Sequence, residues 1–175
     1  FPGSPQTAAM LEALRWWVVE GPPASLLLVG PQSVGKTGAA IAALHERCRR
    51  DLRGGFMTTA VRLLGEIRAG FQDRNRLPEG CEDPFRRVEL VPYLLLDDIG
   101  KEHSTDWVLA TMFDLLDGRN RNARPTLFTS NLSLEDLWGR LGQSNVDRII
   151  EMCGRGQGII EIAQDAPNLR VGGGG

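Results

Sequence analysis

Lysine is almost missing from this sequence. Of its twenty basic residues only Lys36 and Lys101 are lysines, and the rest are arginines. A chain that writes nearly every positive charge as arginine keeps lysine where a compact ammonium does something a planar guanidinium does not. Long apolar runs are also missing. "ASLLLVG" and "VPYLLLDD" fall far short of the ~18 residues of a membrane-spanning helix, so they read as buried strands and no membrane contact is expected. Cysteine is sparse. Cys48, Cys81 and Cys153 are odd in number and widely spaced, which excludes a zinc framework and suits inert thiols in a reducing cytoplasm. His45 and His103 have no cysteine or histidine partner at ligand spacing. A dominant charge is lacking too: a net charge of −2 supplies no global field, so any nucleic-acid contact needs a local patch. The sequence contains no signal peptide, internal repeat or low-complexity stretch apart from "GGGG" at 172–175, read as a flexible tail. It opens on Phe1 rather than methionine, so residues are expected ahead of it.

What is present is one domain, over residues 1–171 of the 175. Residues 4–21 read as an amphipathic helix with Met10, Leu14, Trp17 and Val18 on one face, stopped by Gly21-Pro22-Pro23. "SLLLVG" is a continuous apolar strand of the kind buried on both faces of a parallel sheet. Residues 36–52 form a helix with Ala39, Ala40, Ala43 and Leu44 inward, and Arg47, Arg49 and Arg50 read as a solvated face near its C-terminus. Then follow the strand "GGFMTTA", the helix "VRLLGEIRAGFQDRN", a Pro/Gly-punctuated loop at 77–84, a short helix "PFRRVEL" and the strand "YLLLDDIG". A long helix at about 104–121, the strand "PTLFTSN", short helices near 133–141 and 143–153, and a last strand "GIIEIAQ" complete the pattern. Five strands with helical crossovers predict a parallel α/β sheet.

Gly30-Pro31-Gln32-Ser33-Val34-Gly35-Lys36-Thr37, followed by Gly38, fits G-x-x-x-x-G-K-[ST] in full, between a buried strand and an alanine-rich helix. Such a loop cradles phosphate oxygens with backbone N–H groups and the helix N-terminus. Lys36 reaches the β/γ-phosphates and Thr37 offers a hydroxyl to Mg²⁺, so ATP or ADP with Mg²⁺ is the expected ligand. An ammonium on a slim stem fits inside the loop, which accounts for the first lysine. "YLLLDDIG" ends in Asp97 and Asp98, at the strand end where open α/β sheets place their chemistry. Asp97 would hold Mg²⁺, and Asp98 would orient or deprotonate the attacking water. Asn131, ending "TLFTSN", offers an amide to the γ-phosphate or the lytic water, or serves as a helix cap or a turn. Ser133 stands in the capping position of the next helix, three residues before Asp136.

"GPQSVGKT", "LLLDDIGKEHSTDW", "RPTLFTSN" and "NVDRI", in this order, resemble the AAA+ helicase-loader ATPases: the DnaC and DnaI proteins, their phage relatives and the IstB transposition ATPases. The similarity spans about residues 5–165. It implies a five-stranded sheet of order 5-1-4-3-2 without a C-terminal helical lid, ATP at subunit boundaries and self-association. It also implies Asn131 as the sensor of the γ-phosphate and Arg148 as an arginine finger acting on a neighbour's ATP. The residue reading of Arg148 alone is a helix-surface arginine paired with Asp147 or Glu151. Asp98 stands where many AAA+ proteins carry glutamate; the Asp-Asp pair is usual among DnaI-like loaders, and its shorter reach implies slow hydrolysis. Arg170 matches a second sensor arginine only weakly. Loaders carry a small domain that grips the replicative helicase, and that domain is not in this sequence.

The resemblance further places the helix after the second strand beside single-stranded DNA. Arg62, Arg68, Arg74 and Arg76 with Phe71 suit phosphate contact and base stacking, or else form a solvated face with Phe71 in the core. Arg68 and Phe71 are the leading candidates for DNA contact, joined by the loop from Lys101 to Thr105. Lys101 either reports DNA to the active site or pairs with Glu102 or another neighbour. The expected function is ATP hydrolysis in a helicase loader. The rivals are a transposition ATPase on duplex DNA, a P-loop kinase for a small acceptor, and a scaffold that uses nucleotide only as a structural ligand.

Overall fold

The structure is a computed structural model that describes residues 5–19, 25–72 and 83–162. Its elements are α1 (Pro5–Val19), β1 (Leu26–Val29), α2 (Lys36–Asp51), β2 (Gly55–Thr59), α3 (Ala60–Gln72), α4 (Pro84–Leu90), β3 (Tyr93–Asp97), α5 (Asp106–Arg121), β4 (Thr126–Ser130), α6 (Leu134–Leu141), α7 (Gln143–Met152) and β5 (Ile159–Glu161). The five strands form one sheet of order β2-β3-β4-β1-β5, with every neighbouring pair parallel. That is the expected order read from the other edge.

The strand sequences explain the order. β1, β3 and β4 are buried at every position, as strands covered by helices on both faces must be. β2 and β5 are partly exposed and lie at the edges. Alternate side chains feed two separate cores. Leu27, Val29, Leu94, Leu96 and Phe128 pack under α3, α5, α6 and α7. Leu26, Leu28, Tyr93, Leu95 and Leu127 pack against α1 and α2, through Met10, Leu14, Trp17, Ala40 and Leu44.

Local signals set the helix ends. Asp83 caps α4, accepting from Phe85 N at 3.0 Å, and Pro84 opens the helix, where its missing N–H costs nothing. Thr105 caps α5 by accepting from Val108 N, and Ser133 caps α6 by accepting from Asp136 N.

The solvated-face reading of α2 holds for Arg49 and Arg50 and fails for Arg47, which is 3% exposed. Its guanidinium lies 5.4 Å from the Trp17 ring centroid and 5.2 Å from that of Tyr93. It donates to the Trp17 carbonyl and, at 2.6 Å, to Asp51. Arginine is weakly hydrated and stacks on rings, so paired in this way it clamps α1 to α2 and β3. Arg119 is buried completely. It donates to the carbonyls of Val88, Val91 and Pro125 and to Thr126 Oγ1, tying the α4–β3 turn to the start of β4.

Strand connections leave β1 toward β2 on one side and leave β4 toward β5 on the other. A reversal of this kind opens a crevice at the carboxyl ends of the strands. The loops after β1, β3 and β4 meet there.

Candidate nucleotide site

The loop after β1 is a chain of unusual backbone conformations. Gly30, Ser33 and Gly35 have φ of 149°, 67° and 90°, and alternation of this kind turns successive N–H groups toward one point. Gly30 is required for a further reason: a Cβ there would lie 2.6 Å from the Ile162 carbonyl oxygen, on the strand end that bonds Val29 O. Val34 turns its side chain into the core, so it contributes to the loop through its backbone.

Lys36 opens α2 and is 5% exposed. Its ammonium donates to Gly30 O at 2.8 Å, Pro31 O at 2.7 Å and Asn131 Oδ1 at 3.0 Å. Burial pulls its pKa below the ordinary value, while the carboxylates of Asp98 and Asp97 pull it back. Thr37 Oγ1 donates to Asp97 Oδ1 at 2.8 Å, so two hard oxygens from different elements stand side by side. Mg²⁺ is held by one or two protein oxygens of this kind together with substrate phosphates and water, so the pair fits that ion.

Asp98 has a φ of 61°, uncommon for a residue other than glycine. Side-chain and backbone bonds from β4 and the following turn hold it there. Asp98 N donates to Thr129 Oγ1 at 2.9 Å, and Thr129 Oγ1 donates to Asp97 Oδ1 at 2.6 Å. Ile99 is strapped to β4 through Thr129 O at 2.9 Å and Ser130 Oγ at 2.8 Å. Asn131 Nδ2 donates to Asp98 Oδ1 at 2.6 Å, while its Oδ1 accepts from Lys36. Ser133 caps α6, so Asn131 connects the loop lysine to the second acid instead of capping. Lys101 pairs with Asp98 Oδ2, not with Glu102. Glu102 turns inward, is 4% exposed and accepts from Gly100 N at 3.0 Å.

These residues enclose a cavity of about 450 Å³ lined by the phosphate loop, Asp97, Asp98, Lys101, Thr129 and Asn131. Arg148 does not line it. It sits on α7, bonded to Asp117 at 3.0 Å and to Glu151. Arg68, Thr105 and Lys101 line a second cavity, with Arg68 at 4.6 Å from the Trp107 ring centroid. The side chain of Phe71, and Arg74, Arg76, Cys81, Arg170 and most of the 77–84 loop, lie outside the described residues. No helix among the described residues is long and apolar enough to cross a membrane.

Thr129, bonded to both Asp97 and Asp98, is a residue of the site that the sequence reading missed. The signal was present: it stands two residues before Asn131, on the same side of a strand that ends at the crevice.

A family model described as IstB-like ATP binding protein matches residues 6–157. A protein of a Mycobacterium tuberculosis insertion sequence is 28% identical over 165 residues, covering 91% of this chain and 60% of that protein. The replicative helicase loader DnaI of Bacillus subtilis is 30% identical over 113 residues, 64% of this chain and 34% of the loader. The chain therefore spans 60% or less of these relatives' own length. Among solved structures, the DnaC helicase loader superposes with a TM-score of 0.79 at 25% identity, covering 93% of both chains. The fold is that of the AAA+ P-loop ATPases.

Proposed function

The chain belongs to the IstB-like ATP-binding protein family, and from that premise we propose that it is an ATP-hydrolysing AAA+ module of a replicative helicase loader, assembling on single-stranded DNA. The observation that carries the hydrolytic part is Asn131, bonded at once to Lys36 Nζ at 3.0 Å and to Asp98 Oδ1 at 2.6 Å. One side chain thereby links the group that meets the γ-phosphate to the acid placed to act on water.

The roles follow from position. The loop N–H groups and Lys36 bind the phosphates, and Thr37 and Asp97 would hold Mg²⁺. When bound, the ion would supply Lewis-acid charge on the phosphate oxygens. Asp98 orients the attacking water and accepts its proton; Asn131 fixes Asp98 against the γ-phosphate. Arg148, released from Asp117 and Glu151, would reach the ATP of a neighbouring copy and stabilise charge in its transition state. Self-association with ATP at the boundary is part of this reading. So is contact with a helicase through a segment outside this sequence.

The loader reading draws support from the likeness to DnaC over 93% of both chains. A second reading, a transposition ATPase on duplex DNA, draws support from the insertion-sequence relative. Steady-state ATP hydrolysis with single-stranded or duplex DNA, with Lys36→Ala as the blank, separates them. Stimulation by single strands is expected. Preference for duplex would move the chain to the transposition reading, and turnover indifferent to both would overturn DNA as the partner.

A further inference from the structure

Lys101 is the one lysine that phosphate binding does not account for, and it lines both cavities. In the nucleotide cavity it pairs with Asp98 Oδ2 while Asn131 holds Oδ1, so both oxygens of the acid are engaged. An ammonium seated on Oδ2 competes with an attacking water for that oxygen. The second cavity, about 330 Å³, lies between α3 and the 101–105 loop. Arg68, His103, Thr105 and Trp107 line it beside the buried Leu64 and Val108. A guanidinium on an indole ring, next to a second cation, suits a strand of nucleic acid, with phosphate on Lys101 and a base stacked on the guanidinium–indole pair. An acidic peptide would use the cations but not the ring.

We propose that Lys101 is a gate between the two cavities. At rest it holds Asp98 in an ion pair; a single-stranded nucleic acid in the second cavity draws the ammonium onto a phosphate and frees the catalytic acid.

The loop is built so that only the side chain need move. Gly100 N is bonded to the buried Glu102 carboxyl, and Gly100 holds a φ of 91° that L side chains rarely adopt, with a Cβ there falling 2.7 Å from Leu132 and 2.9 Å from Leu137. Ser104 Oγ donates to the Arg140 carbonyl. The main chain on both sides of Lys101 is thus tied down, while its side chain is 54% exposed on a flexible four-carbon stem. The pair it makes is the weak, partly solvated kind that a phosphate can displace. The gate acts on Asp98, so it rests on the reading of the site as an ATPase.

The test is steady-state ATP hydrolysis by wild type, Lys101→Ala and Lys101→Arg, with and without oligodeoxythymidylate. Lys101→Ala should raise the DNA-free rate by about 1.5- to 5-fold, the range of an exposed ion pair, and lose most further stimulation. Lys101→Arg keeps the cation but not the compact ammonium, so its DNA-free rate should stay closer to wild type than that of Lys101→Ala. A separate readout uses no turnover: the slope of log affinity for the oligonucleotide against log salt should shrink by about 0.7 in Lys101→Ala, one phosphate contact on a single strand. A Lys101→Ala rate at or below wild type without DNA, an undiminished response, or an unchanged salt slope overturns the gate alone. Wild type that binds ATP and never hydrolyses it overturns the ATPase reading and the gate together.

Discussion

Thr129→Val removes one oxygen at the centre of the site and almost no volume. The residue is 2% exposed, and its hydroxyl donates to Asp97 Oδ1 at 2.6 Å and accepts from Asp98 N at 2.9 Å. A bond to a carboxylate contributes about 1.5–3 kcal/mol, and one from a backbone N–H about 0.5–1.5 kcal/mol. Valine fills the space, so no cavity term is added, but the hydroxyl makes the exchange far from neutral. The expected loss is about 2–4 kcal/mol, divided between folding and alignment of the two acids. Each ~1.4 kcal/mol that falls on the transition state slows turnover tenfold, so kcat should drop about 10- to 100-fold with a smaller change in ATP affinity. Thr129→Ser should restore most of it. The assays are urea unfolding, titration with a fluorescent ATP analogue and phosphate release. A folded Thr129→Val protein with wild-type kcat would refute the idea that this hydroxyl aligns Asp97 and Asp98.

Other perturbations probe the surrounding frame. Burial, and secondarily Asp98, push the Glu102 carboxyl above its ordinary 4.5, so the folded state holds that proton more tightly than the unfolded state. The stability this adds is complete below 4.5 and is lost as pH rises through the raised value. Glu102→Gln, which stays neutral, should therefore match wild type in acid and exceed it at higher pH in urea titrations; parallel curves would contradict the assignment. Gly100→Ala places a Cβ 2.7 Å from Leu132 at a φ of 91°, and should cost about 1–3 kcal/mol by the same measurement. Arg119→Met strands the carbonyls of Val88, Val91 and Pro125 in the interior. Its midpoint should fall by the equivalent of at least about 3 kcal/mol, and a smaller loss would mean that those carbonyls find other donors.

Elements whose signal is local were legible in the sequence. The apolar runs of β1, β3 and β4, the phosphate-loop spacing and the cap at Ser133 all lie within a few residues of what they determine. The sheet order agrees with what the family resemblance implied. The sequence hid whatever depends on distant partners. Arg47 reads as a surface cation until α1 brings Trp17 over it, and Arg119 until the α4–β3 turn folds its carbonyls inward. Lys101 had several carboxylates within reach along the chain. Its choice of Asp98 depends on the turn at Asp98, φ 61°, and on the inward rotation of Glu102. Glycines and polar residues at strand ends announce such turns but not their final geometry.

Asp98→Asn is the direct test of the central claim that the acid pair and the phosphate loop form one hydrolytic site. The amide keeps the shape of the side chain and a bond to Asn131, but cannot take a proton from water. The measurement is ATP binding and phosphate release on the same Asp98→Asn protein, beside wild type. The account predicts ATP affinity close to wild type with phosphate release reduced to the level of Lys36→Ala. Wild-type phosphate release from Asp98→Asn would contradict it.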